Sequence, residues 1–142
     1  MALTGDPLTA LASQGDIQVT NGTTGSTTYT STLTGGVACG TAFVAPASGV
    51  VNIHYTSEVN NTGGYTFATI RVRTGGVVGS GSDFLAVSDN DAVFHNTNIR
   101  VGATRRLAGL AAGSTYNVQL LHKVTAGTGT VGKKEVGVTP LP

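Results

Sequence analysis

Tryptophan is absent from this 142-residue chain, cysteine and methionine occur once each, and only 11% of the residues are charged. Each shortage removes a class of function. Without tryptophan the largest stacking surface for a sugar is missing, so any aromatic platform must use tyrosine or phenylalanine. The single cysteine, Cys39, permits no internal disulfide. No second thiol and no nearby histidine supports a nucleophile or a zinc site there, and it reads as a small buried hydrophobe. Glu58 and Glu135 are the only glutamates and lie far apart, whereas a glycosidase needs two carboxylates flanking one bond. No apolar run approaches the ~20 residues that span a bilayer. The first seven residues carry neither a basic region nor a long apolar core, so they are not read as a signal peptide, and synthesis in a host cytoplasm is expected. Net charge is +1, and the basic residues gather only as Arg71/Arg73, Arg100/Arg105/Arg106 and Lys133/Lys134, too sparse for a phosphate-tracking stripe.

What the chain does have is glycine, threonine and serine in place of charge, against the roughly 25% charged residues of an average soluble domain. Apolar residues make up 39%, enough for one core at this length. They fall at period two between clusters of turn residues, the pattern of half-buried strands. Val51, Ile53 and Tyr55 share one face of a strand over residues 50–59. Ala68, Ile70 and Val72 share the core face of a strand over 65–74, opposite Tyr65, Phe67, Thr69, Arg71 and Arg73. These two strands read as a hairpin closed by Asn60-Asn61-Thr62-Gly63-Gly64. A further strand over 99–107 offers Ile99, Val101 and Leu107 to the core, and a last one over 130–139 offers Val131, Val136 and Val138. Ile17-Gln18-Val19-Thr20 alternates before an Asn21-Gly22 turn. Eight to ten short strands at regular spacing predict an all-β, antiparallel β-sandwich of jelly-roll type. Residues 1–16 are read as an N-terminal arm, with a helical hint from Asp6, Pro7, Leu8 and Leu11, and residues 17–142 as one domain.

Few residues suggest chemistry. His54, His95 and His122 lie on three separate segments without ligand spacing, and read as hydrogen-bonded or solvated strand residues. Asp83, Asp89 and Asp91 surround two loops, and Asp89-Asn90-Asp91 has oxygen ligands at alternate positions, a partial calcium pattern that lacks the glycine and terminal glutamate of a calcium loop. A turn whose Asp and Asn side chains bond to nearby backbone explains it more simply. The segment Gly75-Gly76-Val77-Val78-Gly79-Ser80-Gly81 lacks the Lys-Ser/Thr ending of a phosphate loop. No catalytic residue and no cofactor is expected. The candidate contact residues for a partner are Leu3, Leu8 and Leu11 in the arm, and Tyr65 and Phe67 on the strand face they share with Arg71 and Arg73.

Two motifs carry resemblances. Leu110-Ala111-Ala112-Gly113-Ser114-Thr115-Tyr116-Asn117-Val118 resembles the tyrosine corner of fibronectin type III domains, in which Tyr116 bonds back to the backbone and Leu110 packs inward. Phe43-Val44-Ala45-Pro46-Ala47-Ser48-Gly49 together with that corner resembles the jelly rolls of the tumour-necrosis-factor and complement globular-head type. Arg73-Thr74-Gly75-Gly76-Val77-Val78-Gly79-Ser80-Gly81, with the threonine- and glycine-rich strands, looks like small virion proteins of tailed phages infecting actinobacteria. These resemblances imply a homotrimer and a non-enzymatic structural role, as a capsid decoration protein that stabilises a shell of major capsid protein. The alternative they imply is a minor tail or tail-tip module that binds a host surface glycan. Neither nucleic acid nor a membrane is an expected partner.

Overall fold

The computed structural model describes residues 12–142. Ten strands follow one another as β1 (Gln14–Gln18), β2 (Gly22–Thr24), β3 (Gly40–Val44), β4 (Val51–Asn61), β5 (Thr66–Thr74), β6 (Asp83–Leu85), β7 (Val93–His95), β8 (Ile99–Leu107), β9 (Thr115–Val124) and β10 (Gly129–Pro140), with one 3-10 turn at Asp89–Asp91. They form two five-stranded antiparallel sheets. The first runs β1-β10-β4-β8 with β2 also on β10, and the second runs β3-β9-β5-β6 with β7 also on β5. The chain is an antiparallel β-sandwich of jelly-roll type.

The alternation read from the sequence fixes the core. Val51, Ile53, Tyr55 and Val59 of β4 are buried against Ala68, Ile70 and Val72 of β5 and Val118, Leu120 and Val124 of β9, with Val131, Val136 and Val138 of β10 beside them. Burial of this kind contributes about 25 cal/mol per Å² of apolar surface. The two motifs singled out in the sequence meet. Phe43 lies opposite Tyr116 in the β3–β9 register, and their rings stack 5.9 Å apart. The Gly49 carbonyl accepts the Leu110 amide at 3.1 Å, and the Ala45 carbonyl accepts the Gly113 amide at 2.9 Å. Tyr116 Oη accepts the Ala111 amide at 2.9 Å, so the tyrosine corner is formed, and Leu110 is buried in the core.

Three expectations are corrected. The strands over 50–59 and 65–74 are not a hairpin: β4 pairs with β10 and β8, β5 pairs with β9, β6 and β7, and the two lie in different sheets. Asn61 Oδ1 caps the Gly63 and Gly64 amides at 2.8 and 2.7 Å, so the connection crosses from one sheet to the other. An inward face every second residue serves a partner across the core as well as a neighbour in the sheet, so the pattern alone cannot tell them apart. Ile99 is not core: it is 45% exposed at the start of β8, an edge strand of the first sheet. The boundary placed between residues 16 and 17 falls inside β1, where Gln14 through Gln18 pair with Val138 through Lys134.

One buried residue breaks the expected alternation. The β4–β10 register slips between Gly132 and Glu135, and Lys133 there has φ +42°. The extra residue is a β-bulge, which turns the next side chain to the other face. Lys134 is therefore buried, with Nζ donating to the Thr20 carbonyl at 3.1 Å. Burial lowers its pKa, opposed by nearby Cys39 and Asp16.

Candidate functional site

The outer face of the second sheet is largely roofed. Asn117 donates to the carbonyls of Gly75 and Ser80 at 2.9 and 3.1 Å and accepts from the Gly79 amide at 3.0 Å, pinning the β5–β6 loop over the strands. The Asp89–Asp91 turn lies on β5 through the Thr69 hydroxyl, which donates to the Ser88 carbonyl at 3.2 Å. Beneath this cover Thr69, Asn117, Gln119 and Leu121 are buried although they point away from the core.

Where the roof ends, a ledge of aromatic rings is open. The register puts Phe67 opposite Phe94 of β7 and opposite Lys123 of β9. The Phe67 and Phe94 rings stack at 4.6 Å and 14°. Tyr65 stands nearly perpendicular to Phe94, at 84° and 5.7 Å. It is held by two bonds to Thr125, whose hydroxyl accepts the Tyr65 amide at 2.9 Å and whose amide donates to the Tyr65 carbonyl at 3.0 Å. Tyr65 is 44% and Phe94 51% exposed. The Thr30–His122 bridge brings the neighbouring Tyr29 beside Lys123, whose Nζ lies 4.7 Å from the Tyr29 ring centre and 5.1 Å from that of Phe67. Asp89 closes the group: its Oδ1 meets Lys123 Nζ at 2.6 Å and accepts the Tyr29 hydroxyl at 2.7 Å. Those contacts, Lys123 first and Tyr29 second, hold the Asp89 carboxyl below its ordinary range. Burial, then the bond to Asp89, raises the Tyr29 phenol well above its own. At neutral pH the ledge is a fixed set of rings beside one self-neutralised ion pair.

Of the contact residues expected from sequence, Tyr65 and Phe67 come together here, and Leu3, Leu8 and Leu11 lie outside the described residues. Arg71 and Arg73 share the strand face but are engaged elsewhere. Arg71 donates to Gln119 at 3.2 Å, and Arg73 pairs with Asp83 at 2.7 Å. The calcium candidates do not converge. Asp83 pairs with Arg73, Asp89 with Lys123 and Asp91 with Arg105 at 2.6 Å, and no group of three metal-ligating side chains exists among the described residues. Ser88 caps the turn by accepting the Asn90 amide at 3.1 Å, the backbone role that Asp-Asn turns commonly play. Sequence reading missed Phe94 and Lys123, and counted Tyr29 only among the tyrosines available for stacking. Their signal was only the alternation of Val93 and Phe94 and the exposed side of β9, neither of which names its neighbours.

The three histidines stay apart. His54 lies 3.4 Å from Glu135 on the outer face of the first sheet, and His95 Nδ1 accepts the Thr97 amide at 3.1 Å. His122 is buried between the sheets, with Nε2 3.0 Å from the Ser57 hydroxyl and Nδ1 without a partner among the described residues. Burial, and then the nearby Lys134 charge, lowers its pKa to about 3. Cys39 is also enclosed. Burial, followed by the charge of Asp16, pushes its thiol up to about 12. Because the thiolate is the reactive form, iodoacetamide at pH 8 should alkylate Cys39 at least 100-fold more slowly in the folded protein than in urea. Comparable rates by mass spectrometry would contradict that enclosure. No helix among the described residues is long and apolar enough to cross a membrane.

By sequence, no family model and no curated protein matches the chain. Solved structures do match by fold. The CBM36-1 domain of a multidomain xylanase from the hindgut metagenome of Trinervitermes trinervoides aligns with a TM-score of 0.50 at 13% identity, over 92% of this chain and 99% of that one. A chain in the structure of infectious bursal disease virus, Gx strain, aligns at 0.49 and 7% identity, over 91% of this chain but only 33% of its own length. Eiger TNF from S. frugiperda aligns at 0.44 and 10% identity, over 92% and 93%. At such identities the likeness is one of architecture alone, and that of the CBM36-1 domain agrees with the sandwich.

Proposed function

We propose that this chain is a non-enzymatic structural protein of a virus particle, a homotrimeric jelly-roll subunit that decorates a capsid and stabilises its shell. The observation that supports assembly most directly is on the edge of the first sheet. Ile17 and Val19 stand 63% and 71% exposed on and just after β1, whose one strand partner among the described residues is β10. An apolar, weakly charged edge is a liability for a solitary protein and an asset when a neighbour covers it. The 11% charge content fits a surface devoted to contact, and its partners are further copies of the chain and the major capsid protein or tail proteins. Light scattering on the purified protein tests the oligomer. Ile17→Lys with Val19→Lys should convert the trimer to a monomer while leaving the circular-dichroism spectrum unchanged; a mass unaffected by both charges would remove this edge from the contact.

A second reading, a minor tail or tail-tip module that binds a host surface glycan, draws its support from the aromatic ledge, whose rings and polar groups are both accessible.

A further inference from the structure

We propose that the ledge formed by Tyr65, Phe94, Phe67, Lys123 and Asp89 is a binding site for an uncharged pyranose glycan. The inference deepens the glycan reading and rests on it. Three features select this ligand. The first is shape. Phe94 is stacked on Phe67 through one face and still 51% exposed, and Tyr65 rises from it at 84°. Two rings at a right angle make a corner, and a pyranose chair, with an apolar C–H face and an equatorial rim of hydroxyls, fits a corner better than a flat aromatic or an extended peptide would.

The second feature is polar chemistry placed beside the rings. Asp89 Oδ1 is occupied by Tyr29 and Lys123, while the other oxygen of this exposed side chain has no bond among the described residues. Sugar hydroxyls are donors and acceptors at once, so the second oxygen of the Asp89 carboxylate and the ammonium paired with its first can engage two of them together. The third feature is charge. The pair neutralises itself, and Arg71, further along the same strand face, donates to Gln119. Lys123, the cation among the ledge residues, is already paired with Asp89 and offers no free charge to a sialic acid, a uronic acid or a sulfate. The site is also built before the ligand arrives. Tyr65 is fixed through Thr125, Asp89 through Ser88 and Thr69, and Lys123 between two rings, so little side-chain entropy is lost on binding.

The test is a titration of isotope-labelled full-length protein, followed by amide and aromatic NMR shifts, with neutral hexasaccharides of glucose, xylose and N-acetylglucosamine, and with sialyllactose and a heparin hexasaccharide as charged comparators. At least one neutral sugar should shift the signals of Tyr65, Phe67, Phe94, Lys123 and Asp89. Phe94→Ala and Tyr65→Ala should each weaken it at least tenfold, Phe94→Tyr should retain it, and Asp89→Asn should weaken it several-fold. No shift with any neutral sugar, a preference for the charged comparators, or full affinity in Phe94→Ala would overturn the proposal. So would a change of oligomeric mass in Phe94→Ala, which would make the ledge a contact between copies of the chain. Mass is read on the same samples. A trimer that ignores every sugar refutes the ledge and the glycan reading while sparing the structural one, and a sugar-binding monomer does the reverse.

Discussion

Lowering the pH from 7 to 4 should remove about 3 kcal/mol of folding stability through His122 alone. The imidazole is buried, its pKa is held near 3 by burial and by Lys134, and an unfolded histidine titrates near 6.5. Between those two values the unfolded chain takes up a proton that the folded chain refuses. Stability is therefore unaffected above pH 6.5, falls as the pH drops through the window, and levels off below about 3. A shift of this size is worth on the order of 1.4 kcal/mol per unit crossed. The group facing the ring is Ser57, at 3.0 Å from Nε2, a neutral hydroxyl that cannot compensate a positive charge. The carboxylate of Asp89 also loses its favourable pairing on acidification, but only as the pH falls below the ordinary aspartate value near 4, so the two windows are separable. Urea midpoints measured at half-unit steps should decline from pH 6.5, by about 2 M at pH 4 for an m-value near 1.5 kcal/mol/M. His122→Gln should flatten that decline whatever it costs at neutral pH. A wild-type profile that is level from 6.5 to 4, or a slope that survives the substitution, would contradict the enclosed imidazole.

The second large effect concerns the junction of the two motifs. Gly49 has φ +68°, and a Cβ there would sit 2.5 Å from the Leu110 carbonyl oxygen. That is backbone, on a residue whose own amide is bonded to the Gly49 carbonyl, so it cannot step aside without breaking the junction. Left-handed backbone costs an L-residue about 1–2 kcal/mol, and displacement of the buried hydrogen-bonded corner adds about 1–2 more. Gly49→Ala should therefore lose roughly 2–4 kcal/mol, a large share of a typical domain's total. Gly113 supplies the control, with φ +78° and nothing within 4 Å of its added Cβ. Gly113→Ala should cost only the backbone part. Equal losses in the two variants, by urea denaturation, would mean that the Gly49–Leu110 contact carries no weight.

The elements that could be read in advance were those whose meaning is local. The inward faces of β4 and β5, the limits of β8, and the tyrosine corner follow from alternation, turn residues and a short spacing, which the chain satisfies on its own. What could not be read depends on partners distant in sequence. Whether residues 51–61 pair with 66–74 or face them across the core is decided by β10 and β8, which arrive much later. The buried Lys134 had a faint signature. Val131 and Val136 are five residues apart, an odd number, so both can enter the core only if the strand carries an extra residue between them. Lys133 and Lys134 stand side by side in the sequence as one small basic cluster, yet Lys133 reaches Glu58 at 2.8 Å while Lys134 turns inside. The ledge was half legible. Tyr65 and Phe67 announce a shared face, but Phe94, Tyr29 and Asp89 join them only through the sheet register and the folded-over turn. Asp89 drew attention for its spacing with Asp91, and its structural partners are a lysine and a tyrosine.

The subunit reading is tested most directly by the solution mass of the chain, from light scattering coupled to size-exclusion chromatography at micromolar concentration. The account predicts a single species at three times the 14.2 kDa of one chain, reduced to one-third by charges at Ile17 and Val19. A stable monomer of the unaltered protein at that concentration would contradict it.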